Sequence, residues 1–293
     1  MVFPEGKQPP NSRPPAQPVV FAWFLACGLL VFSVFSHYFP ILSGTADIVG
    51  RVVTAAFLLL ASQFARRSER LGTYWQVLIA FFVALAAISV DFYLGLSRWI
   101  IPALGLQAAS PAGYAIEKLE SSVLSIAVVL LLTKASGDSL RSLYLRRGRL
   151  RLGLTVGLIA FMFVLAGIVP ITEGLFNGKD LSWARFLPWT PWVLVFVLAN
   201  AFNEELLFRG LFFGKLEPLL GRSATNVLIA IPFTLMHVHV QYTASTILFI
   251  AFLFPLSLAW GYTLQKTDGL WGSVLFHAAM DIPVILGILS RLP

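Results

Sequence analysis

Three short stretches in the second half of the chain place acidic, basic and imidazole side chains within apolar sequence. The first contains Glu204, Glu205 and Arg209. Because Glu205 precedes Arg209 by four residues, we expect the two to form an ion pair on one face of a helix. Glu204 lies about 100° further round that helix, so it need not share the arginine and is available for proton transfer. The alternative is a purely structural charge cluster at a helix end.

The other two stretches supply histidines. Phe233 and His237 are four residues apart, so the aromatic ring can pack against the imidazole and fix its orientation. His277 and Asp281 have the same spacing, and the carboxylate could orient the imidazole or join it in binding a ligand. A hydrogen-bonded packing histidine, and a structural His–Asp pair, are the respective alternatives.

These side chains stand out because the chain carries few charges. Its 293 residues are 58% hydrophobic and 12% charged, with a net charge of +7 and one cysteine, Cys27. A soluble domain has about 25% charged residues, so the composition predicts a polytopic membrane protein and argues against nucleic acid as a partner. An ionisable residue inside a span is costly and is a functional candidate by default. The single cysteine excludes an intramolecular disulfide and a cysteine-based metal site.

The elements that must position these residues are membrane helices. Apolar runs predict an all-α transmembrane bundle of about nine spans, which lie near residues 18–36, 48–64, 74–96, 116–133, 152–171, 190–214, 224–240, 244–264 and 270–289. With the amino terminus inside, fifteen of the 21 lysines and arginines fall on the cytoplasmic side, as the positive-inside rule requires. Arg51 and Lys118 are among the six expected outside. We therefore expect a multi-pass protein of the cell inner or plasma membrane with a cytoplasmic amino terminus.

The three motifs resemble those of the CAAX protease and bacteriocin-processing family of intramembrane endopeptidases, which includes the CAAX prenyl endopeptidases. In order, the matching residues are Glu204-Glu205-x-x-x-Arg209, Phe233-x-x-x-His237 and His277-x-x-x-Asp281. The resemblance covers roughly residues 150 to 290 and departs from the prenyl-processing members at Asp281, where they have asparagine.

Composition divides the chain into three regions, and the resemblance adds a fourth. Residues 1–17, rich in proline, are expected to be a disordered cytoplasmic tail, and residues 18–135 the amino-terminal spans. Residues 136–152 are a basic segment that we expect to form an interfacial helix on anionic lipid headgroups. Residues 153–293 are then the protease-like core.

In function, the resemblance implies hydrolysis of a peptide bond near the carboxyl terminus of a membrane-associated protein, either lipidated or bearing a sorting signal. It implies that Glu204 and His237 activate water, that His277 and Asp281 stabilise the oxyanion, and that three further residues support them: Glu205, Arg209 and Phe233. An ionised Asp281 would repel an oxyanion, so we expect Asp281 either to orient His277 or to be protonated.

Two points stay open at the level of sequence. Glu204, His237 and His277 could hold zinc, but the His-Glu-x-x-His motif is absent, and we favour a mechanism without a metal or other cofactor. The rival function is a proton-coupled transporter with a buried carboxylate and histidine relay, although we find no internal repeat of spans. A membrane scaffold or immunity partner is a third alternative.

Overall fold

The computed structural model describes residues 17–36 and 41–292. Within these ranges the chain forms helices and turns without a strand. The α-helices are α1 (Gln17–Leu29), α2 (Gly44–Arg67), α3 (Trp75–Leu94), α4 (Ser97–Ala103), α5 (Pro111–Ala135), α6 (Leu150–Ala166), α7 (Ile168–Phe176), α8 (Trp183–Phe186), α9 (Thr190–Glu205), α10 (Leu211–Leu220), α11 (Arg222–Leu235), α12 (Thr246–Thr267) and α13 (Leu270–Leu289). The predicted all-α class is confirmed, while the predicted tail lies outside the described residues except for Gln17, which begins α1.

The number of helices that qualify as candidate membrane spans is lower than predicted. By length and composition, the described residues contain six candidate spans, or seven if α6 and α7, which are bent by 76° at their junction, form one broken span. The predicted span 116–133 lies in α5, which has 25 residues but carries charges near both ends. The predicted span 224–240 corresponds to α11, which has only 14 residues. The polytopic bundle is therefore confirmed, and six or seven of the nine predicted spans are long and apolar enough by this measure.

Helix α13 is the centre of the bundle. In its most apolar stretch, 67% of the residues are buried inside the protein, compared with 22% for α2. Helix α13 packs against α6, α7, α9 and α12. Glycines allow the closest of these approaches: a Cβ atom on Gly272 would lie 2.9 Å from the Cα atom of Gly153 in α6. Small residues commonly bring membrane helices together in this way. The core thus forms around the helix that carries His277 and Asp281.

The basic segment does not form the predicted interfacial helix. A single 3-10 turn spans Leu140–Leu143, and Tyr144 then adopts a left-handed backbone conformation with φ of 57°. The backbone N–H of Leu270 donates to the carbonyl of Tyr144 over 3.1 Å, and Arg146 Nε donates to the carbonyl of Asp268 over 3.0 Å. Because its polar groups bond the turn between α12 and α13, the segment braces that turn instead of continuing as a helix.

Candidate active site

The acidic motif lies where α9 changes its winding. Helix α9 ends at Glu205, and a π-helical turn, Leu206–Gly210, leads into α10. Such π turns are frequent at functional sites. The turn passes close to the basic segment, since a Cβ atom on Gly210 would lie 2.9 Å from the carbonyl oxygen of Leu143. Glycine is therefore required where these two backbones meet.

The predicted ion pair of the first motif is present. Arg209 Nη1 donates to Glu205 Oε1 over 2.9 Å, and neither side chain is more than 1% exposed. The other end of the guanidinium, Nη2, donates to the hydroxyl of Ser257 over 2.6 Å and lies near the ring of Phe233, whose centroid is 4.4 Å from Cζ. Arg209 thus holds Glu205 with one end of its guanidinium and is itself held by Ser257 at the other.

His277 is oriented by Glu205 and not by Asp281. Its Nδ1 atom lies 2.9 Å from Glu205 Oε1, and because a carboxylate only accepts, Nδ1 carries the hydrogen. Nε2 lies 3.6 Å from Glu204 Oε2 and 3.6 Å from Asp281 Oδ1, beyond ordinary hydrogen-bond length. The indole of Trp260 stacks on the imidazole with centroids 3.9 Å apart and an interplanar angle of 8°. Of the two expectations for Asp281, the orienting role therefore belongs to Glu205.

His237 lies just beyond α11 instead of inside a span. The helix ends at Leu235, and the backbone N–H of His237 closes a turn onto the carbonyl of Thr234 at 3.1 Å. Nδ1 of the imidazole donates to the carbonyl of Phe233 over 2.7 Å, which leaves the lone pair on Nε2. The predicted Phe233–His237 contact is confirmed, with centroids 4.9 Å apart.

All four predicted catalytic residues line one cavity of about 390 Å³. Glu204, His237, His277 and Asp281 all contribute to its polar part. The remainder is mostly apolar, and includes Phe163, Leu175, Phe249, Leu253 and Met280. Glu205 and Arg209 are not among the described residues that line it. The structure therefore gathers residues from α9, α13 and the turn after α11 around a chamber suited to an apolar ligand.

Three residues of this site were missed by the sequence analysis. Asn200 Nδ2 donates to Asp281 Oδ2 over 2.9 Å, and Asn200, Lys118 and Trp260 all line the cavity. A signal existed for Asn200, since it precedes Glu204 by one helical turn. Lys118, counted only as an outer charge, is an ionisable residue in an apolar helix and met the rule applied to the acids. Nothing in the sequence pointed to Trp260.

The predicted zinc ligands do not fit a metal site in this arrangement. Among the described residues, no group of three His, Cys, Asp or Glu side chains is placed to hold a metal ion. Of the three candidate ligands, Glu204 and His277 lie 3.6 Å apart, measured from Oε2 to Nε2. We therefore derive no step through a metal.

Comparison with known proteins identifies the carboxyl-terminal region. Residues 186–283 match the family model described as type II CAAX prenyl endopeptidase Rce1-like. Over this region the chain is similar to the CAAX protease family. The matched region contains every predicted site residue and supports a peptidase, and the apolar helices support a multi-pass membrane protein. No curated protein and no solved structure matches the chain.

Proposed function

We propose that the protein is an intramembrane endopeptidase that cuts a membrane-associated protein near its carboxyl terminus, using water activated by Glu204 and His237. The observation that carries the proposal is the shared cavity of about 390 Å³, in which two carboxylates and two imidazoles meet a mostly apolar wall. The family match supports a peptidase of the CAAX type. Nothing in the comparison favours a transporter.

Glu204 is the base in this mechanism. Arg209 donates to the neighbouring Glu205, so Glu204 is left able to accept a proton from water. The lone pair on His237 Nε2, fixed by the Nδ1 bond to Phe233, orients the same water. Its oxygen attacks the peptide carbonyl while Glu204 takes its proton. Glu204 then passes that proton to the amide nitrogen as the C–N bond breaks, giving a carboxylic acid and an amine.

The oxyanion is stabilised by His277 and Asn200. Because Nδ1 of His277 donates to Glu205, Nε2 can donate only from the imidazolium form, and the nearby carboxylates and the stacked Trp260 stabilise such a cation. Asn200 donates one N–H to Asp281, and the second N–H on the same nitrogen is left for the oxyanion. Asp281 thus holds a donor next to the oxyanion, to which an ionised carboxylate cannot itself donate.

We also propose a cytoplasmic amino terminus in the cell inner or plasma membrane. Arg146 bonds Asp268, next to Lys266 at the end of α12, so the basic segment and this turn lie on one side of the bundle. The positive-inside rule assigned both the basic segment and this turn to the cytoplasmic side. A cysteine introduced at Arg147 should react with an impermeant maleimide only after the membrane is opened, and so should a cysteine introduced near the amino terminus at Lys7. Labelling of the second cysteine in intact cells would reverse the proposed orientation of the amino terminus.

The test of the proposed function is cleavage by purified protein in vesicles. Glu204→Gln and His237→Ala should each lower the rate by at least about 10²- to 10⁴-fold while thermal unfolding stays cooperative. Glu173→Gln, at an exposed position on α7, is the matched control and should retain full activity. Substrates are found by comparing carboxyl-terminal peptides of membranes with and without the enzyme by mass spectrometry. Normal processing by Glu204→Gln protein would overturn the proposal.

The absence of a metal requirement is tested separately. Exhaustive treatment with a membrane-permeant chelator should leave the cleavage rate unchanged. If activity is lost and zinc alone restores it, the Glu204 and His237 mechanism is wrong, although the peptidase assignment stands.

A further inference from the structure

We propose that Lys118 forms a subsite for the terminal carboxylate of the substrate and so determines how near that terminus the enzyme cuts. This inference rests on the proposed function, because it concerns the same cavity and the same peptide. Lys118 lies in α5, outside the region 186–283 that matches the family. The amino-terminal half of the chain would thereby contribute directly to substrate recognition.

The first argument is position. Lys118 lines the cavity together with Glu204 and Asp281. Its helix packs along α9, and Nζ lies 5.6 Å from the ring centroid of Phe196, another residue of the cavity wall. The aromatic ring holds the ammonium group by a cation–π contact without neutralising it. Lys118 therefore places a charge at the cavity and not on the lipid-facing surface.

The second argument is charge. Among the described residues that line the cavity, Lys118 is the one lysine or arginine, whereas Glu204 and Asp281 are acids. A peptide carboxylate entering this apolar chamber would be repelled near the acids and attracted near Lys118, and the low dielectric of the walls strengthens both effects. The charge distribution therefore fixes the direction in which a peptide lies, with its carboxyl end at Lys118 and its scissile bond at Glu204.

The third argument is energetic. A charged side chain inside a membrane helix is costly, and such residues are usually paired or functional. Lys118 interacts electrostatically with Asp91 of α3, and with His237 and Asp281 across the cavity. Asp91 does not line the cavity, so it does not occupy the space where a substrate would bind. It can therefore compensate the positive charge of Lys118 when no substrate is bound. The alternative is that Lys118 serves only to balance Asp91, and the experiment must separate these two roles.

The test compares two farnesylated CAAX peptides that differ only in their last group, a free carboxylate or a carboxamide, cut by the full-length protein in phosphatidylcholine vesicles. Wild-type protein should prefer the free acid by about 10- to 100-fold in kcat/KM, mostly through KM, as expected for a charge-assisted contact. Lys118→Met should lower kcat/KM by that factor for the acid and leave the amide unchanged. Lys118→Arg, which keeps the charge, should retain most of the preference.

A matched control is available on the same helix. Lys134 is exposed in the last turn of α5, and Lys134→Met should keep the full preference for the acid. If Lys118→Met protein fails to fold, the double variant Asp91→Asn with Lys118→Met removes both charges and should show the same loss of preference.

Several results would overturn the inference. Equal cleavage of both peptides by wild-type protein, or an equal loss on both in Lys118→Met, would show that Lys118 only balances Asp91. Failure of the proposed function gives a different result, in which wild-type protein cuts neither peptide or Glu204→Gln cuts as well as wild type.

Discussion

Two buried acid–arginine pairs with the same four-residue spacing lie in different parts of this molecule. In α2, Arg51 Nε donates to Asp47 Oδ2 over 2.8 Å, and near the cavity Arg209 Nη1 donates to Glu205 Oε1 over 2.9 Å. All four side chains are at most 4% exposed. As ion pairs inside membrane helices, the two are nearly the same structure.

Their surroundings are also alike on the arginine side. Arg51 donates to the hydroxyl of Ser89 and lies 4.8 Å from the ring centroid of Phe92. Arg209 donates to the hydroxyl of Ser257 in the same way, with an aromatic ring 4.4 Å away. A serine hydroxyl and an aromatic ring thus contact each buried guanidinium, and Arg51 also donates to the carbonyl of Phe35.

The difference lies on the acid side. Asp47 accepts a hydrogen bond from the hydroxyl of Tyr93, whereas Glu205 accepts one from His277, which lines the cavity. The first pair ties α2 to α3, and the second holds an imidazole at the candidate active site. The ion pair itself is therefore a scaffold, and its contribution to function depends on the group that the carboxylate holds.

Removing the arginines should give the largest difference in kcat between the two pairs. Arg209→Met and Arg51→Met each leave a buried carboxylate without its partner, so each should lower the free energy of unfolding by about 3–5 kcal/mol. Arg209→Met should also lower kcat by about 10³-fold, since Glu205 no longer holds His277 in place. Arg51→Met should change kcat of the folded protein less than about twofold.

Thermal unfolding in detergent and turnover in vesicles measure these two effects. A large loss of kcat in Arg51→Met protein would mean that the α2 pair also supports the reaction. In that case the two regions would not differ in the way described.

Asn200 belongs to the cavity, and the environment described for Asp47 has no corresponding amide. Replacing Asn200 therefore tests a feature of the cavity that the pair in α2 does not share. Asn200→Ala should lower kcat by about 10²-fold, the effect of losing one oxyanion donor, with KM nearly unchanged. The loss should shrink when Asp281→Asn is present, because that substitution supplies an amide at the same place.

The matched control for Asn200 is Asn226, whose side chain donates to the carbonyl of Leu258 over 2.8 Å away from the cavity. Asn226→Ala should lower stability by about 1 kcal/mol and leave kcat unchanged. An equal loss of kcat from Asn200→Ala with and without Asp281→Asn would show that Asn200 only packs the helices.

Neutralising the acids gives a smaller effect than removing the arginines. In Glu205→Gln the amide oxygen still accepts from His277, so the contact survives but loses its charge assistance. We expect kcat to fall by about tenfold. Asp47→Asn should leave kcat unchanged, and a comparable loss of kcat in that variant would contradict the comparison.

The sequence predicted contacts within one helical turn and missed those between helices. The four-residue spacing predicted the Glu205–Arg209 ion pair and the Phe233–His237 ring contact, and both are present in the structure. The same spacing marks Asp47 and Arg51, but the predicted span began at residue 48 and left the acid outside it. The bond from His277 to Glu205 joins residues 72 positions apart. No local pattern shows it, because it depends on how α9 packs against α13.

The same limit explains the span count and the role of Asp281. A hydropathy window treats residues 224–240 as one run, whereas the helix ends at Leu235 and the chain turns so that His237 faces the cavity. Asp281 was paired with His277 because both lie on α13. Its hydrogen bond comes instead from Asn200, 81 positions away.

The smallest difference is expected at the two serines. Ser257→Ala removes a 2.6 Å bond to Arg209, and Ser89→Ala removes a 3.3 Å bond to Arg51, so each should cost about 1 kcal/mol of unfolding free energy, the first more than the second. Arg209 keeps its bond to Glu205 in Ser257→Ala protein but gains freedom to move. We therefore expect a fall in kcat of about two- to fivefold, measurable with the farnesylated peptide. Ser89→Ala should show none, and equal kcat values for the two variants would mean that His277 is held by Trp260 stacking and not by the ion pair.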